Sequence, residues 1–352
     1  MGKGINPNLK LKAKKLRTVD EYLNGLREEN RFILSEVLTL IESKNPAHRK
    51  VGDEVLNAID PSTTTQTIRI GITGSPGAGK STFIEALGSL LTAMGEKVAV
   101  LAIDPSSTKS QGSILGDKTR MSSLSLNENA FVRPTASANI LGGVARATKE
   151  SIALCEAAGY KIILVESVGV GQSETELADL VDLYLLLLLP GGGDGVQGIK
   201  RGVVELADLL VINKYDGDSK LIAEKSKKDF ASAVRLFPHE IEGWNVPVTL
   251  CSSLKKERIE DVWTEIEKFI SYSISQGYFN RNRVLQDQKW IANQVKIKMV
   301  QRAEELFSLD VDSYKVDKAE NETVFELLHR ISKKIDSDFR AFNNSKKNWV
   351  KK

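Results

Sequence analysis

The sequence predicts an α/β protein: a mostly parallel sheet lying between helices, with helical extensions at both ends. Three observations lead there. Short apolar runs recur through the middle of the chain, several of them apolar at consecutive positions, as a strand covered on both faces requires. Stretches with apolar residues three and four apart separate these runs. Toward both ends only the helical periodicity remains.

Taken in order, VDEYLNGLREENRFILSEVLTLIES and the residues after it predict helix over 18–60, within an N-terminal arm at 1–61. PSTTTQ at 61–66 is a polar boundary. Six strand-like runs follow: IRIGIT (68–73), KVAVLAI (97–103), KIILVE (161–166), LYLLLLL (183–189), DLLVIN (208–213) and VPVTLC (246–251). They place a central domain at 62–270. Beyond it, IEDVWTEIEKFISYSI and the segments 282–308 and 320–338 read as helix, giving a C-terminal arm at 271–352.

Composition narrows the classes. A net charge of +3 over 352 residues gives no reason to expect nucleic acid as partner. The basic ends, six Lys/Arg before Asp20 and NNSKKNWVKK at the C-terminus, read as solvated tails. Two cysteines, Cys155 and Cys251, make no disulfide framework and read as packed thiols in a reducing compartment. LYLLLLL is too short to span a bilayer, and the N-terminus lacks the apolar core of a secretory signal. The expectation is a cytoplasmic protein with neither membrane nor nucleic-acid association.

GSPGAGKS at 74–81 carries the chemistry. It fits G-x-x-x-x-G-K-[ST], follows an apolar strand and opens a helix, which makes the chain a P-loop NTPase. Gly74, Ser75, Pro76, Gly77, Ala78 and Gly79 can curl so that backbone N–H groups face phosphate oxygens, with the helix N-terminus at Ser81 and Thr82 adding partial positive charge. Lys80 reaches the β- and γ-phosphates, and the Ser81 hydroxyl completes a Mg²⁺ shell.

NKYD at 213–216 ends another strand and has the pattern by which GTPases read guanine. Asp216 accepts from the ring N1–H and the exocyclic amine, Asn213 meets the other edge, and the Lys214 stem covers the ring. Ser252, Ser253 and Leu254, after the last apolar run, form the loop that backs the base. Glu166 ends a buried strand three residues before Gly169, the slot of a D-x-x-G loop that holds Mg²⁺ and senses the γ-phosphate, with Glu in place of Asp. Asp104 ends the strand after the P-loop helix, at the phosphate edge of a parallel sheet. It can bind Mg²⁺ or orient the attacking water, and the polar stretch behind it reads as a switch ordered by nucleotide.

GITGSPGAGKSTFIEALG, VLAIDPSSTKSQGSILGDKTRM, LCEAAGYKIILVESVGVGQSETELADLVD and GVQGIKRGVVELADLLVINKYDGD together resemble the MeaB/ArgK family, GTPases associated with adenosylcobalamin-dependent methylmalonyl-CoA mutase. The resemblance covers about residues 30–270. Two positions depart from the family pattern: Ser110-Gln111-Gly112 stands where a Gly-Gly pair is common, and Tyr215 stands where Ala is usual, at a position facing away from guanine.

The resemblance implies a SIMIBI-type GTPase and a chaperone for a cobalamin-dependent acyl-CoA mutase. GTP hydrolysis would be coupled to loading or reactivation of adenosylcobalamin, a cofactor that belongs to the client enzyme. It further implies that Lys80, Ser81, Asp104 and Glu166 serve phosphate and Mg²⁺. Segment 191–202 would be an additional switch, with Asp194, Gln197 and Lys200 toward nucleotide or partner. A homodimer formed through the terminal helices completes the implication. Gln172 is the candidate for positioning water, and turnover is expected to be slow without a partner.

Two rival classes share a P-loop. A nickel metallochaperone GTPase usually carries a His-rich tail or a Cys/His site, whereas this chain has only His48, His239 and His329, well separated. A P-loop kinase has no need to read guanine, and NKYD argues against it.

Overall fold

In the computed structural model the described residues are 16–60, 67–104, 121–136, 143–167, 173–191, 201–237 and 239–307, with His329, Arg330, Ser332, Lys333 and Ser337. The chain divides into two compact units, Met1–Asp287 and Gln288–Lys352.

The first unit opens with three helices, α1 (Val19–Arg27), α2 (Arg31–Glu42) and α3 (Pro46–Asn57). Each starts at a side chain that takes up orphan N–H groups. Thr18 and Glu21 form a reciprocal capping box on α1. Asn30 accepts from Phe32 and Ile33 N–H on α2, and Asn45 caps α3 with Pro46 at its first position. The single helical stretch expected over 18–60 is therefore broken twice, at the residues whose side chains compete for backbone N–H.

The sheet is built from β1 (Ile68–Gly74), β2 (Val98–Asp104), β3 (Ala130–Ala136), β4 (Ile162–Glu166), β5 (Leu183–Leu188), β6 (Leu209–Ile212) and β7 (Val248–Leu250). Its order is β3-β2-β4-β1-β5-β6-β7, and every neighbouring pair is parallel. Helices α4 (Lys80–Ala93), α5 (Ser122–Leu126), α6 (Gly143–Ala157), α7 (Ser173–Ala178), α8 (Arg201–Glu205), α9 (Lys220–Val234) and α10 (Ile259–Ser275) accompany the strands. Helix α11 (Tyr278–Phe307) follows and runs past the division into the second unit.

Two apolar layers explain the consecutive apolar runs. Leu183, Leu185 and Leu187 of β5 point into one core with α4 and α10; Tyr184, Leu186 and Leu188 point into the other with α6 and the N-terminal helices. A strand with both faces covered has no solvent side to alternate with. The N-terminal helices belong to the second core: Leu34, Val37, Leu38 and Ile41 of α2 are buried there beside Leu101 and Phe131. Arg133 of β3 donates to Glu42 at 2.6 Å, and Arg49 of α3 pairs with Glu150 of α6 at 2.5 Å.

Six strands were legible as apolar runs, and β3 was not among them. Among the described residues it lies at the sheet edge and pairs with β2 alone, and its AFVRPTA includes an arginine directed to α2 and a proline that an edge strand tolerates.

Candidate nucleotide site

The expected phosphate loop, residues 75–79, joins β1 to α4, and no side chain caps α4: its N-cap is Gly79 in the left-handed region. The helix therefore presents its first N–H groups to whatever enters the loop, together with its positive pole. Two glycines are sterically obligatory. A Cβ on Gly74 would lie 2.2 Å from the Leu187 carbonyl oxygen, and one on Gly79, at φ +90°, would lie 2.7 Å from Asn213 Nδ2. Lys80 is 9% exposed, and its Nζ donates to the carbonyls of Gly74 at 2.8 Å and Ser75 at 3.5 Å. The ammonium is thus held inside the loop.

Two acidic residues end strands at the same sheet edge. Glu166, half-buried at the end of β4, accepts from Ser81 Oγ at 3.2 Å. Asp104 closes β2, two residues beyond Ala102, whose partner across the ladder is Glu166. Strands β2, β4 and β1 are neighbours, so Asp104, Glu166 and Gly74 end adjacent strands on one side. Parallel strands guarantee this, since all their carboxyl ends share an edge. Ser167 adds a tie that sequence reading missed: its N–H bonds the Ile72 carbonyl at 3.0 Å and its hydroxyl donates to Thr73 Oγ1 at 2.8 Å.

The NKYD segment lies after β6, two strands from the loop, yet touches it. Asn213 Nδ2 donates to the Ala78 carbonyl at 2.8 Å, while Asn213 Oδ1 accepts from Ser253 N at 3.0 Å and Ser253 Oγ at 2.7 Å. One buried amide joins the phosphate loop to the loop after β7. The Cys251 thiol, read as a packed group, also points at Asn213 Oδ1, 3.7 Å away. Burial pushes that thiol up to about 12. Asp216 accepts from Ser252 Oγ, and Ser252 exchanges backbone bonds with Glu257, which fixes the loop. Lys214 takes a positive φ of 58° and is exposed, and Leu254 is an exposed apolar side chain on the facing loop.

The structure thus brings together Gly74 to Thr82, Glu166, Asn213 to Asp216, and Ser252 to Leu254, with Asp104 at the adjoining strand end. Gly169, Gln172, Asp194, Gln197 and Lys200, with the stretch after Asp104, lie outside the described residues.

A phosphate loop between a buried strand and a helix, on a parallel sheet with a guanine-type loop two strands along, defines a P-loop GTPase, a hydrolase of GTP. The chain belongs to the MeaB family: the family described as methylmalonyl-CoA mutase-associated GTPase MeaB matches residues 34–307. GTPase ArgK of Escherichia coli is 44% identical over 279 residues, 79% of this chain and 84% of that protein. The mitochondrial methylmalonic aciduria type A homolog of Mus musculus is 43% identical over 295 residues, 81% of this chain and 71% of that protein. A crystal structure described as an LAO/AO transport system kinase superposes with a TM-score of 0.73 at 34% identity, covering 92% of this chain and all of that one. Among the described residues, no helix is long and apolar enough to cross a membrane.

Proposed function

We propose that this GTPase is a chaperone that couples GTP binding and hydrolysis to loading, protection or reactivation of adenosylcobalamin on a cobalamin-dependent acyl-CoA mutase, with methylmalonyl-CoA mutase the first candidate. The carrying observation is the mutase-associated family, matched over 34–307. Cytoplasmic location belongs to the same proposal and agrees with two free, buried cysteines.

In this reading the residues divide the work. Backbone N–H groups of 75–79 and the α4 N-terminus bind the phosphates, and the Lys80 ammonium exchanges its loop carbonyls for phosphate oxygens. Ser81 and Glu166, 3.2 Å apart, and Asp104 are hard oxygen donors at one edge, a set that fits Mg²⁺. Bound there, Mg²⁺ would neutralise charge on the β- and γ-phosphate oxygens. Asp216 accepts from guanine N1–H and the exocyclic amine, Ser252 holds that carboxylate, and Lys214 and Leu254 offer apolar surface to the ring faces. Gly169 and Gln172 sense the γ-phosphate and position water, and Asp194, Gln197 and Lys200 signal to the client.

A homodimer is part of the proposal, with 271–352 as the dimerisation region. Ile291, Val295 and Met299 recur four residues apart on α11 and are exposed, as a helix that pairs with a second copy would require. The kinase description of the superposing structure favours a second reading, phosphate transfer to another acceptor. The guanine-type loop supports hydrolysis instead.

The test is GTP turnover by the purified protein, alone and with an adenosylcobalamin-dependent acyl-CoA mutase. Stimulation of at least tenfold, with GTP preferred over ATP, is expected. Turnover unmoved by any such mutase would remove the client assignment.

A further inference from the structure

We infer that Tyr215, the third residue of the NKYD segment, is a positioning residue for guanine: it clamps the base-reading loop from outside the pocket and sets how long guanine nucleotides stay bound. This rests on the assignment of Asp216 to the base.

The loop needs an external hold. Lys214, Lys256 and Arg258 take φ values of +58°, +56° and +61°, a region that side-chain-bearing residues occupy only when their surroundings enforce it. All three flank the expected base site. Tyr215 provides the hold from several directions at once. Its N–H donates to the Cys251 carbonyl at 2.9 Å, tying the end of β6 to the end of β7. Its hydroxyl donates to Glu224 Oε1 of α9 at 3.0 Å. The Lys220 ammonium and the Arg258 guanidinium each lie 5.4 Å from its ring centroid, and the ring packs on the apolar core beneath.

Arg258 is the residue before α10, and Lys220 begins α9. One residue therefore connects the two helices through its side chain, and the two strand ends that carry the base-reading and base-backing loops through its N–H. Its neighbour Asp216 can keep its place against Ser252 only while that frame holds. With alanine here the backbone bond to Cys251 would remain, but both cation contacts and the Glu224 bond would be gone. An exposed cation–aromatic contact is worth a factor of roughly two to five, so losing two with the hydroxyl bond amounts to about tenfold.

The experiment measures dissociation of a fluorescent GDP analogue, equilibrium affinity for GDP and inosine diphosphate, and steady-state GTP turnover. Y215A is expected to release GDP about tenfold faster, with the effect on KM rather than kcat. Its preference for GDP over inosine diphosphate, which lacks the amine read by Asp216, should fall. Y215F and E224A should each accelerate release about twofold and together no more than either alone, because they remove the same bond. These two variants keep the test open if Y215A proves unstable.

D216N is the control. If it leaves preference for guanine over xanthine nucleotides unchanged, the base assignment fails. If it shifts that preference while Y215A and Y215F release GDP at the wild-type rate, the clamp alone is refuted. Non-additive loss in the Y215F/E224A pair with lowered base discrimination in Y215A establishes it.

Discussion

Replacing Asn213 with alanine tests whether one buried amide joins the phosphate and base halves of the site. The substitution removes three hydrogen bonds to oxygen and nitrogen partners, the donation to the Ala78 carbonyl and two bonds accepted from Ser253, together with the weaker contact from the Cys251 thiol. Their partners are shielded, Ala78 being 1% and Ser253 4% exposed, so water cannot fully replace the lost group. Leaving a buried partner unpaired costs about 1–3 kcal/mol. At the low end for each of three groups the loss is about 3 kcal/mol. At the 2–4 °C per kcal/mol typical of domains of 150–250 residues, that lowers the unfolding midpoint by roughly 6–12 °C. The phosphate loop also loses its tie to the base loop, so affinity for GDP should fall at least tenfold. Thermal unfolding of the nucleotide-free protein and a GDP titration read the two effects separately. A midpoint within 2 °C of wild type together with unchanged affinity would refute the bridging role.

Three other outcomes are expected. K80A should weaken GDP and GTP binding by about a hundredfold or more, since charge-assisted bonds to phosphate are lost, and a titration showing wild-type affinity would overturn the phosphate-loop assignment. R283A should destabilise the first unit by about 3 kcal/mol: Arg283 makes a two-pronged pair with Asp182, whose side chain is 1% exposed, at 2.7 and 2.6 Å, and its removal leaves that buried carboxylate with the Arg69 N–H but without its ion-pair partner. Denaturant unfolding would show this, with R283K recovering only part of the loss because an ammonium cannot reproduce the fork. Cys155 and Cys251 should resist iodoacetamide at pH 8 in the folded protein. Burial raises both thiols, Cys251 to about 12, so the reactive thiolate is scarce there, whereas an unfolded thiol titrates near 8.5. Mass spectrometry finding alkylation at the unfolded rate would contradict that burial.

Much of this protein was written locally. The phosphate loop is local because a strand, a glycine turn and a helix N-terminus are consecutive in sequence, and residues 74–82 fold as they read. Six strands were visible because both of their faces are buried, which imposes uninterrupted apolar runs such as LYLLLL. Glu166 and Asp104 could be placed at the phosphate edge because parallel strands end together.

Tertiary structure decided the rest. Strand β3 is an edge strand whose arginine answers Glu42 of a helix far away in sequence, so its own pattern carries little signal. The packing of α1–α3 into one core with β2 and α6 follows from which apolar faces remain uncovered once the sheet has formed. The amide of Asn213 meets the Ala78 carbonyl only because the sheet order sets β6 two places from β1. Tyr215 acquired its partners from β7, α9 and the start of α10 in the same way. The sequence by itself determined the chemistry at each strand end. Which ends stand side by side depended on long-range strand pairing and burial, and no local pattern encodes these.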